Sequence, residues 1–98
     1  MKPPLLSVTI KKPEQTVFDG FAKAISSISD QGKLDILSFH ANFIAIVKES
    51  ITIHQPEKEP FVIPITIGVM KVKGNLVKII LGIDAQTQKN LLTPEFIS

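Results

Sequence analysis

Short runs of alternating apolar and polar residues, separated by turn signals about every eight to twelve residues, constrain the fold of this chain most strongly. Leu6, Val8 and Ile10 alternate with polar residues, which is the period of a half-buried strand. Ile and Val, with 15 and 7 copies, outnumber the 8 Leu, and β-branched side chains fit a pleated strand better than a helix. The pattern predicts an all-β fold, an antiparallel β-sandwich of about ten short strands.

Gly, Pro and Asn residues divide the apolar runs. Asp19-Gly20 and Gly74-Asn75 are typical of tight hairpin turns, because these residues tolerate a positive φ. Pro64 predicts an edge strand or a bulge, since proline donates no ladder hydrogen bond, and Gly68 is expected to break its run. Further loops or turns are expected at 29–33, 39–42 and 55–60.

The length of 98 residues predicts one folded domain. We assign residues 1–83 to the β-sandwich and residues 84–98 to a short tail or one short helix, for which Asp84 and Pro94 supply possible start signals. The chain contains no cysteine, which excludes disulfides, thiolate zinc sites and thiol catalysis. Neither a signal peptide nor a membrane-spanning segment is expected from the hydrophobic pattern.

The charge pattern argues against a nucleic-acid partner. The formal net charge is +2, and the positive charge comes from eleven scattered lysines with no arginine. Arginine is the usual bidentate ligand for phosphate and guanine, so its absence removes the main means of such recognition. The scattered lysines are typical of solvated strand faces.

His40 is the most obvious candidate for catalysis, and three aspartates are possible partners. A small hydrolase would need Asp19, Asp30 or Asp35 within hydrogen-bond reach of His40. The simpler interpretation is a histidine satisfied in a turn, with the aspartates in turns or in solvent. A metal site would need further ligands, and nothing in the sequence pairs His40 with His54. We therefore predict no catalytic residue, no metal and no cofactor.

Several motifs in a near-constant order resemble those of one family, the epsilon subunit of F-type ATP synthases. Val17-Phe18-Asp19-Gly20 matches the family's V-F-D-G, and Gly32 stands where its G-E-x-G-I-L-P-G-H-A-P segment begins. Ile36-Leu37 and, after two residues, His40-Ala41 keep the spacing of that segment. Residues 67–72 and 75–79 resemble the family's G-G-F-L-E-V and N-x-V-x-V, so the likeness extends over most of the chain.

The sequence departs from the family in its loops. Lys33 replaces an acidic residue and Asp35 a glycine, while Ser38-Phe39 and Asn42 stand where the family has prolines and glycine. Ile28-Ser29 also replaces a Pro-Gly. These changes alter the loops with which the family contacts its ring of c subunits.

The resemblance implies a non-enzymatic central-stalk subunit that joins the gamma subunit to the c-ring and couples ion flow to ATP synthesis. It implies a peripheral protein on the cytoplasmic face of the membrane, without direct insertion and monomeric when isolated. Hairpin-based inhibition is expected to be absent, because only residues 84–98 follow the sandwich. The alternative is a stand-alone β-sandwich module that binds a ligand or peptide. The resemblance places ring-facing contacts at Asp30, Gln31, Gly32, Lys33, Phe39, His40, Ala41 and Asn42.

Overall fold

The structure, a computed structural model, describes residues 4–82, and within them the chain forms strands only. The predicted tail or helix at 84–98 lies outside the described residues. No helix in the described range is long and apolar enough to cross a membrane. The strands are β1 Leu6–Lys12, β2 Gln15–Ala22, β3 Ala24–Ser29, β4 Gly32–Leu37, β5 Phe43–His54, β6 Phe61–Lys73 and β7 Leu76–Leu81.

All seven strands belong to one hydrogen-bonded sheet in the order β2-β1-β7-β6-β5-β3-β4. Every neighbouring pair is antiparallel except β1 and β7, which run parallel from Ser7 opposite Leu76 to Lys11 opposite Ile80. The all-β class is confirmed. Within residues 4–82 the sheet has seven strands, where about ten were predicted for the chain, and one of its pairs is parallel.

The sheet folds over on itself into two layers. β2 lies at one edge of the sheet and β3 beside the other edge, yet Lys23 alone separates these strands in sequence. The Lys23 amide donates to the carbonyl oxygen of His54 at 2.8 Å, which fixes the corner where the chain changes layer. Leu6 of β1 and Ile36 of β4 belong to one buried cluster, so the two halves of the sheet face each other across the core.

The core consists of the inward-facing apolar residues of the strands. Full burial of each large side chain contributes roughly 1.5–3 kcal/mol, and it is this alternating set that selects the register of the strands. The buried apolar residues are Leu6, Val8, Ile10, Ala22, Ile25, Ile36, Val47, Ile51, Ile53, Ile63, Met70, Val72, Val77, Ile79 and Leu81.

The strand count is lower than predicted partly because β5 and β6 are long and run through both layers. The apolar pattern of the sequence predicts two separate strands at 43–47 and 51–54, but these residues form one strand with a bulge between Lys48 and Glu49. Glu49 has a φ of 72° there, and the pairing with β3 skips Glu49 and Ser50. The Ser50 carbonyl accepts a 2.7 Å hydrogen bond from the buried Ser27 hydroxyl instead. A bulge of this kind bends a strand, which lets β5 pass from one layer to the other.

Gly68 does not break its strand, so that prediction was wrong. It is buried within β6, opposite Leu81 of β7, and a Cβ atom at this position would lie 3.2 Å from the Ile80 carbonyl oxygen. The glycine therefore allows two backbones to approach closely. Pro64 lies in the first half of β6, where β7 does not pair, so the prediction of an edge position was right.

The predicted hairpin at Asp19-Gly20 was also wrong. β2 continues through both residues, with Asp19 opposite Thr9 and Gly20 opposite Val8. A Cβ atom on Gly20 would lie 3.1 Å from the Phe18 ring, so the glycine makes room for an aromatic ring lying along an edge strand. The tight turn at Gly74-Asn75 is confirmed, with a φ of 60° at Gly74.

Candidate functional site

The first predicted contact loop is a two-residue turn between β3 and β4. Asp30 and Gln31 form it, and Gly32 begins β4 with a φ of 110°, a value that favours glycine. The Ser29 hydroxyl donates to the Gly32 carbonyl at 3.1 Å and accepts from the Gln31 amide at 3.2 Å. Asp30, Gln31, Gly32 and Lys33 are all exposed, so this turn presents a polar surface.

The second predicted contact loop, 39–42, lies in the connector between β4 and β5, residues 38–42, and this connector is tied to the β6–β7 turn. The Phe39 amide donates to Oδ1 of Asn75 at 2.8 Å, and the Gly74 amide donates to Oδ1 of Asn42 at 2.8 Å. Phe39 has a φ of 66°, and its side chain is 75% exposed. The connector thus exposes a large aromatic side chain to solvent, while hydrogen bonds to the distant β6–β7 turn fix the backbone of the connector.

His40 is satisfied within the same connector. Its Nδ1 lies 2.8 Å from the Ala41 carbonyl, and its ring packs against Phe43 with centroids 5.0 Å apart. Asp30, one of the three candidate carboxylates, lies 3.3 Å from the Lys48 ammonium. His40 therefore has no carboxylate partner among the described residues, and the hydrolase hypothesis loses the contact that it required.

One open groove of about 340 Å³ brings parts of both loops together. Asp30, Gln31 and His40 line it, whereas the other five predicted contact residues do not. Its walls are completed by Ser29, Leu34 and the start of β5, from Phe43 to Ile46. The groove is open to solvent, unlike the enclosed cavities that bury most of a small ligand.

Sequence reasoning missed a polar cluster on β3, β4 and β5. The Ser26 hydroxyl donates to Oδ1 of Asp35 at 2.6 Å and lies 3.1 Å from Nε2 of His54. These residue types form hydrolytic triads when the histidine stands between serine and carboxylate. Here the serine stands between the other two, and its proton is directed at the carboxylate. Ser26 and Asp35 are cross-strand partners, and only the strand register could have revealed this.

The potential metal ligands of residues 4–82 do not form a cluster. The described residues contain no cluster of three or more His, Asp or Glu side chains that could hold an ion. The two histidines have different partners, Ala41 and Phe43 for His40 and Ser26 for His54.

The outward face of β5, β6 and β7 combines apolar and basic side chains; we call it the β5–β7 face. Ile46 lies opposite Val69, and Val69 lies opposite Ile80, which makes an exposed apolar row across three strands. The adjacent row holds Lys71 and Lys78 directly opposite each other, both exposed. Like charges directly opposite each other on neighbouring strands are destabilising, so this pair does not contribute to the stability of the isolated domain.

Comparison with known proteins gives the fold a family. The family model described as "ATP synthase, Delta/Epsilon chain, beta-sandwich domain" matches residues 5–82. A comparison with curated proteins finds no significant match.

Two solved structures share the fold. A chain of the Euglena gracilis mitochondrial ATP synthase, from a structure of OSCP, F1 and the c-ring, superposes with a TM-score of 0.74 at 14% identity, over 99% of this chain and 68% of that one. A chain from the central stalk and c-ring of the Tetrahymena thermophila mitochondrial ATP synthase gives a TM-score of 0.63 at 20% identity, over 83% of this chain and 66% of that one. The family match extends over 5–82, almost all of the described residues, and the chain therefore belongs to the ATP synthase delta/epsilon family, of which it contains the β-sandwich domain.

Proposed function

We propose that this chain is a non-catalytic subunit of the central stalk of an ATP synthase, where it joins the gamma subunit to the c-ring and couples ion flow to ATP synthesis. The observation that carries the proposal is the match of the delta/epsilon β-sandwich family to residues 5–82. The likeness to chains from two synthase structures, one of which is a structure of the central stalk and c-ring, supports it.

The two-layered sheet suits a part that transmits torque. Torque transfer needs a body that does not shear when its two contact surfaces are pushed in different directions. β5 and β6 run through both layers, and the antiparallel ladder between them is the longest in the domain, from Phe43 opposite Val72 to Ile53 opposite Phe61. A load on one layer is therefore carried into the other by continuous backbone.

The end formed by the 38–42 connector and the β3–β4 turn is the proposed ring contact. Phe39 supplies an exposed aromatic side chain. Two hydrogen bonds hold the connector in place, one from the Phe39 amide to Asn75 and one from the Gly74 amide to Asn42. Asp30 and Lys33 add exposed charges at the other loop. An ordered loop loses less conformational entropy on binding, which favours a lasting contact with the ring.

The β5–β7 face is the proposed contact with gamma. Its apolar row, Ile46, Val69 and Ile80, supplies area to bury, and Lys71 and Lys78 favour an acidic partner. A stable interface buries on the order of 800 Å² per partner, and a sheet face of this kind is the type of surface that can supply it. In this proposal the chain is peripheral on the cytoplasmic side of the membrane, and catalysis belongs to other subunits.

Affinity purification of the tagged full chain from native membranes in mild detergent tests the proposal. Recovery of gamma and c subunits is expected, and recovery of neither from membranes whose synthase remains intact would exclude the stalk role. Phe39→Asp should reduce recovery of the c subunits while the chain stays folded. Val62→Asp, at another exposed apolar position of the sheet, is the matched control and should leave recovery unchanged.

A further inference from the structure

The first four residues of β5 form an open strand edge. Phe43 to Ile46 pair with Val72 to Val69 of β6 on one side. On the other side, β3 comes alongside β5 only from Val47 onward, where Ser29 is its partner. Within residues 4–82, no strand pairs with Phe43 to Ile46 on that side. Alternate N–H and C=O groups of this segment therefore point away from the sheet without a ladder partner.

The open groove follows this edge. Consecutive residues of a strand point to opposite faces of the sheet, so a cavity that is lined by all four residues from Phe43 to Ile46 meets the strand from the side. The opposite wall is the tip of the β3–β4 hairpin, with Ser29, Asp30, Gln31 and Leu34, and His40 lies at one end. The groove therefore lies where β3 and β5 separate into the two layers.

We propose that an extended segment of a partner polypeptide binds in this groove as an added strand along Phe43–Ile46. Strand addition to an open edge takes its affinity from main-chain hydrogen bonds and its selectivity from alternate side chains. Ile44 and Ile46 are 67% and 45% exposed beside the edge, and Leu34 and Phe43 are half-buried on the other side. The groove therefore suits a segment with apolar residues and without proline at the positions that must donate.

Charge adds a second requirement for the segment. Lys71 lies opposite Ile44 on the outward face, and Lys48 lies next to the point where β3 joins. Lys48 is held by Asp30, but the described part of the β5–β7 face offers Lys71 no acidic cross-strand partner, since its neighbours are Ile44 and Lys78. An acidic residue flanking the apolar positions complements this surface.

A single segment fits the site better than a second copy of the chain. Four residues of strand span about 13 Å, which is far less edge than a stable interface of on the order of 800 Å² per partner requires. The open edge is also bounded at both ends, by β3 at Val47 and by the connector at His40. Antiparallel pairing of two such edges would bring the β3–β4 hairpin of each copy onto the connector of the other. This inference goes beyond the stalk role, because it concerns how a partner is held, whichever protein supplies the segment.

Binding of a defined peptide to the isotopically labelled full chain, followed by nuclear magnetic resonance, tests the inference. The probe is the capped peptide Glu-Val-Thr-Val-Thr-Val-Glu. Saturable shifts are expected at the amides of Phe43 to Ile46. At a free peptide concentration ten times Kd, those edge amides that donate to the peptide should exchange about tenfold more slowly. Two further probes are versions of this peptide with N-methyl groups on every second residue, and the two versions differ in which alternate set is methylated. Only one edge of an added strand faces β5, so one version should lose binding and the other should retain it.

Two matched variants locate the binding. Ile44→Asp should weaken peptide binding about fivefold, through loss of a cross-strand apolar contact and repulsion of the acidic probe. Ile80→Asp makes the same change on the same face but two strands away from the edge, and it should leave the affinity within about twofold. Four results would overturn the inference: no binding at millimolar peptide, shifts centred on β7, equal binding of both N-methyl probes, or protection of the edge by self-association without peptide.

Discussion

The main-chain amide of Phe39 donates a 2.8 Å hydrogen bond to Oδ1 of Asn75, 36 positions further along the chain. This bond secures a phenylalanine at a φ of 66°, a conformation that bulky residues rarely adopt. A second bond, from the Gly74 amide to Oδ1 of Asn42, joins the same two loops. The shape of the proposed ring-contact loop is therefore fixed by the turn between β6 and β7.

Asn75→Ala should loosen that loop without unfolding the domain. The Phe39 amide loses its acceptor, so we expect the free energy of unfolding to fall by about 1 kcal/mol and amide exchange at residues 38–42 to accelerate. Chemical denaturation and hydrogen exchange measure the two effects. Gln15→Ala, an exposed amide side chain on β2, serves as the control. Unchanged exchange at Phe39 would mean that Asn75 does not determine the loop conformation.

Gly68→Ala should destabilise the domain, because β6 and β7 approach each other too closely for a side chain. The new Cβ atom would lie 3.2 Å from both the Ile80 carbonyl oxygen and a Leu81 methyl group, and backbone cannot move aside cheaply. We expect a loss of about 1–3 kcal/mol in urea denaturation.

Gly20→Ala is the matched control for this prediction. Its Cβ atom would meet the Phe18 ring at 3.1 Å, and this side chain, on an edge strand, can rotate away. A cost for Gly20→Ala equal to that for Gly68→Ala would show that glycine entropy or strand propensity, and not the close approach of β6 and β7, determines the effect.

Glu49→Gly should stabilise the domain, since Glu49 lies in the left-handed region with a φ of 72° at the β5 bulge. That conformation costs an L-residue roughly 1–2 kcal/mol, and the added flexibility of glycine in the unfolded chain offsets about 0.5–1 kcal/mol of the gain. A net increase of up to about 1.5 kcal/mol in the unfolding free energy is expected. Glu57→Gly, at a φ of 58°, should behave alike, whereas Glu59→Gly in the same loop should give no increase.

The fold class was predictable because alternation and β-branched content report the layer architecture directly. Its details depended on contacts between distant residues. The Asp19-Gly20 signal is a true turn signal in isolation, but β1 pairs with β2 through both residues, and the Phe18 ring covers the glycine. The bulge at Lys48 and Glu49, which joins two predicted strands into one, has no signature in the local sequence.

The details of the candidate site likewise depend on contacts between distant residues. The position of the connector between β4 and β5 could be predicted from its turn residues, but its anchor on Asn75 could not, because the anchor is set by the tertiary fold. The cluster of Ser26, Asp35 and His54 is likewise a product of strand register. The open edge of β5 depends on where β3 and β5 separate, which no local pattern encodes.

Ser26 should be unreactive towards a fluorophosphonate probe, although a histidine and an aspartate surround it. Its hydroxyl proton is donated to Asp35 at 2.6 Å, and His54 does not stand between the serine and the carboxylate as general-base catalysis requires. Mass spectrometry after incubation checks this, with a known serine hydrolase as positive control. Labelling of Ser26 that disappears in His54→Ala would contradict the structural interpretation.

Lys71→Glu should have opposite effects on the isolated domain and on its assembly. Lys71 and Lys78 face each other on neighbouring strands, so the substitution replaces a repulsive pair by an attractive one. Such cross-strand pairs contribute about 0.2–1 kcal/mol, and we expect thermal unfolding of the isolated chain to shift upward accordingly.

If the β5–β7 face binds an acidic surface of gamma, the same change places a carboxylate against that surface and reduces the recovery of gamma in affinity purification. Lys12→Glu changes the net charge equally at the exposed end of β1, and it should affect neither the unfolding temperature nor the recovery to the same degree. Higher stability with undiminished recovery of gamma would show that this face is not the gamma contact. The end formed by the 38–42 connector and the β3–β4 turn, with Phe39, would then remain as the surface through which the chain binds to the stalk.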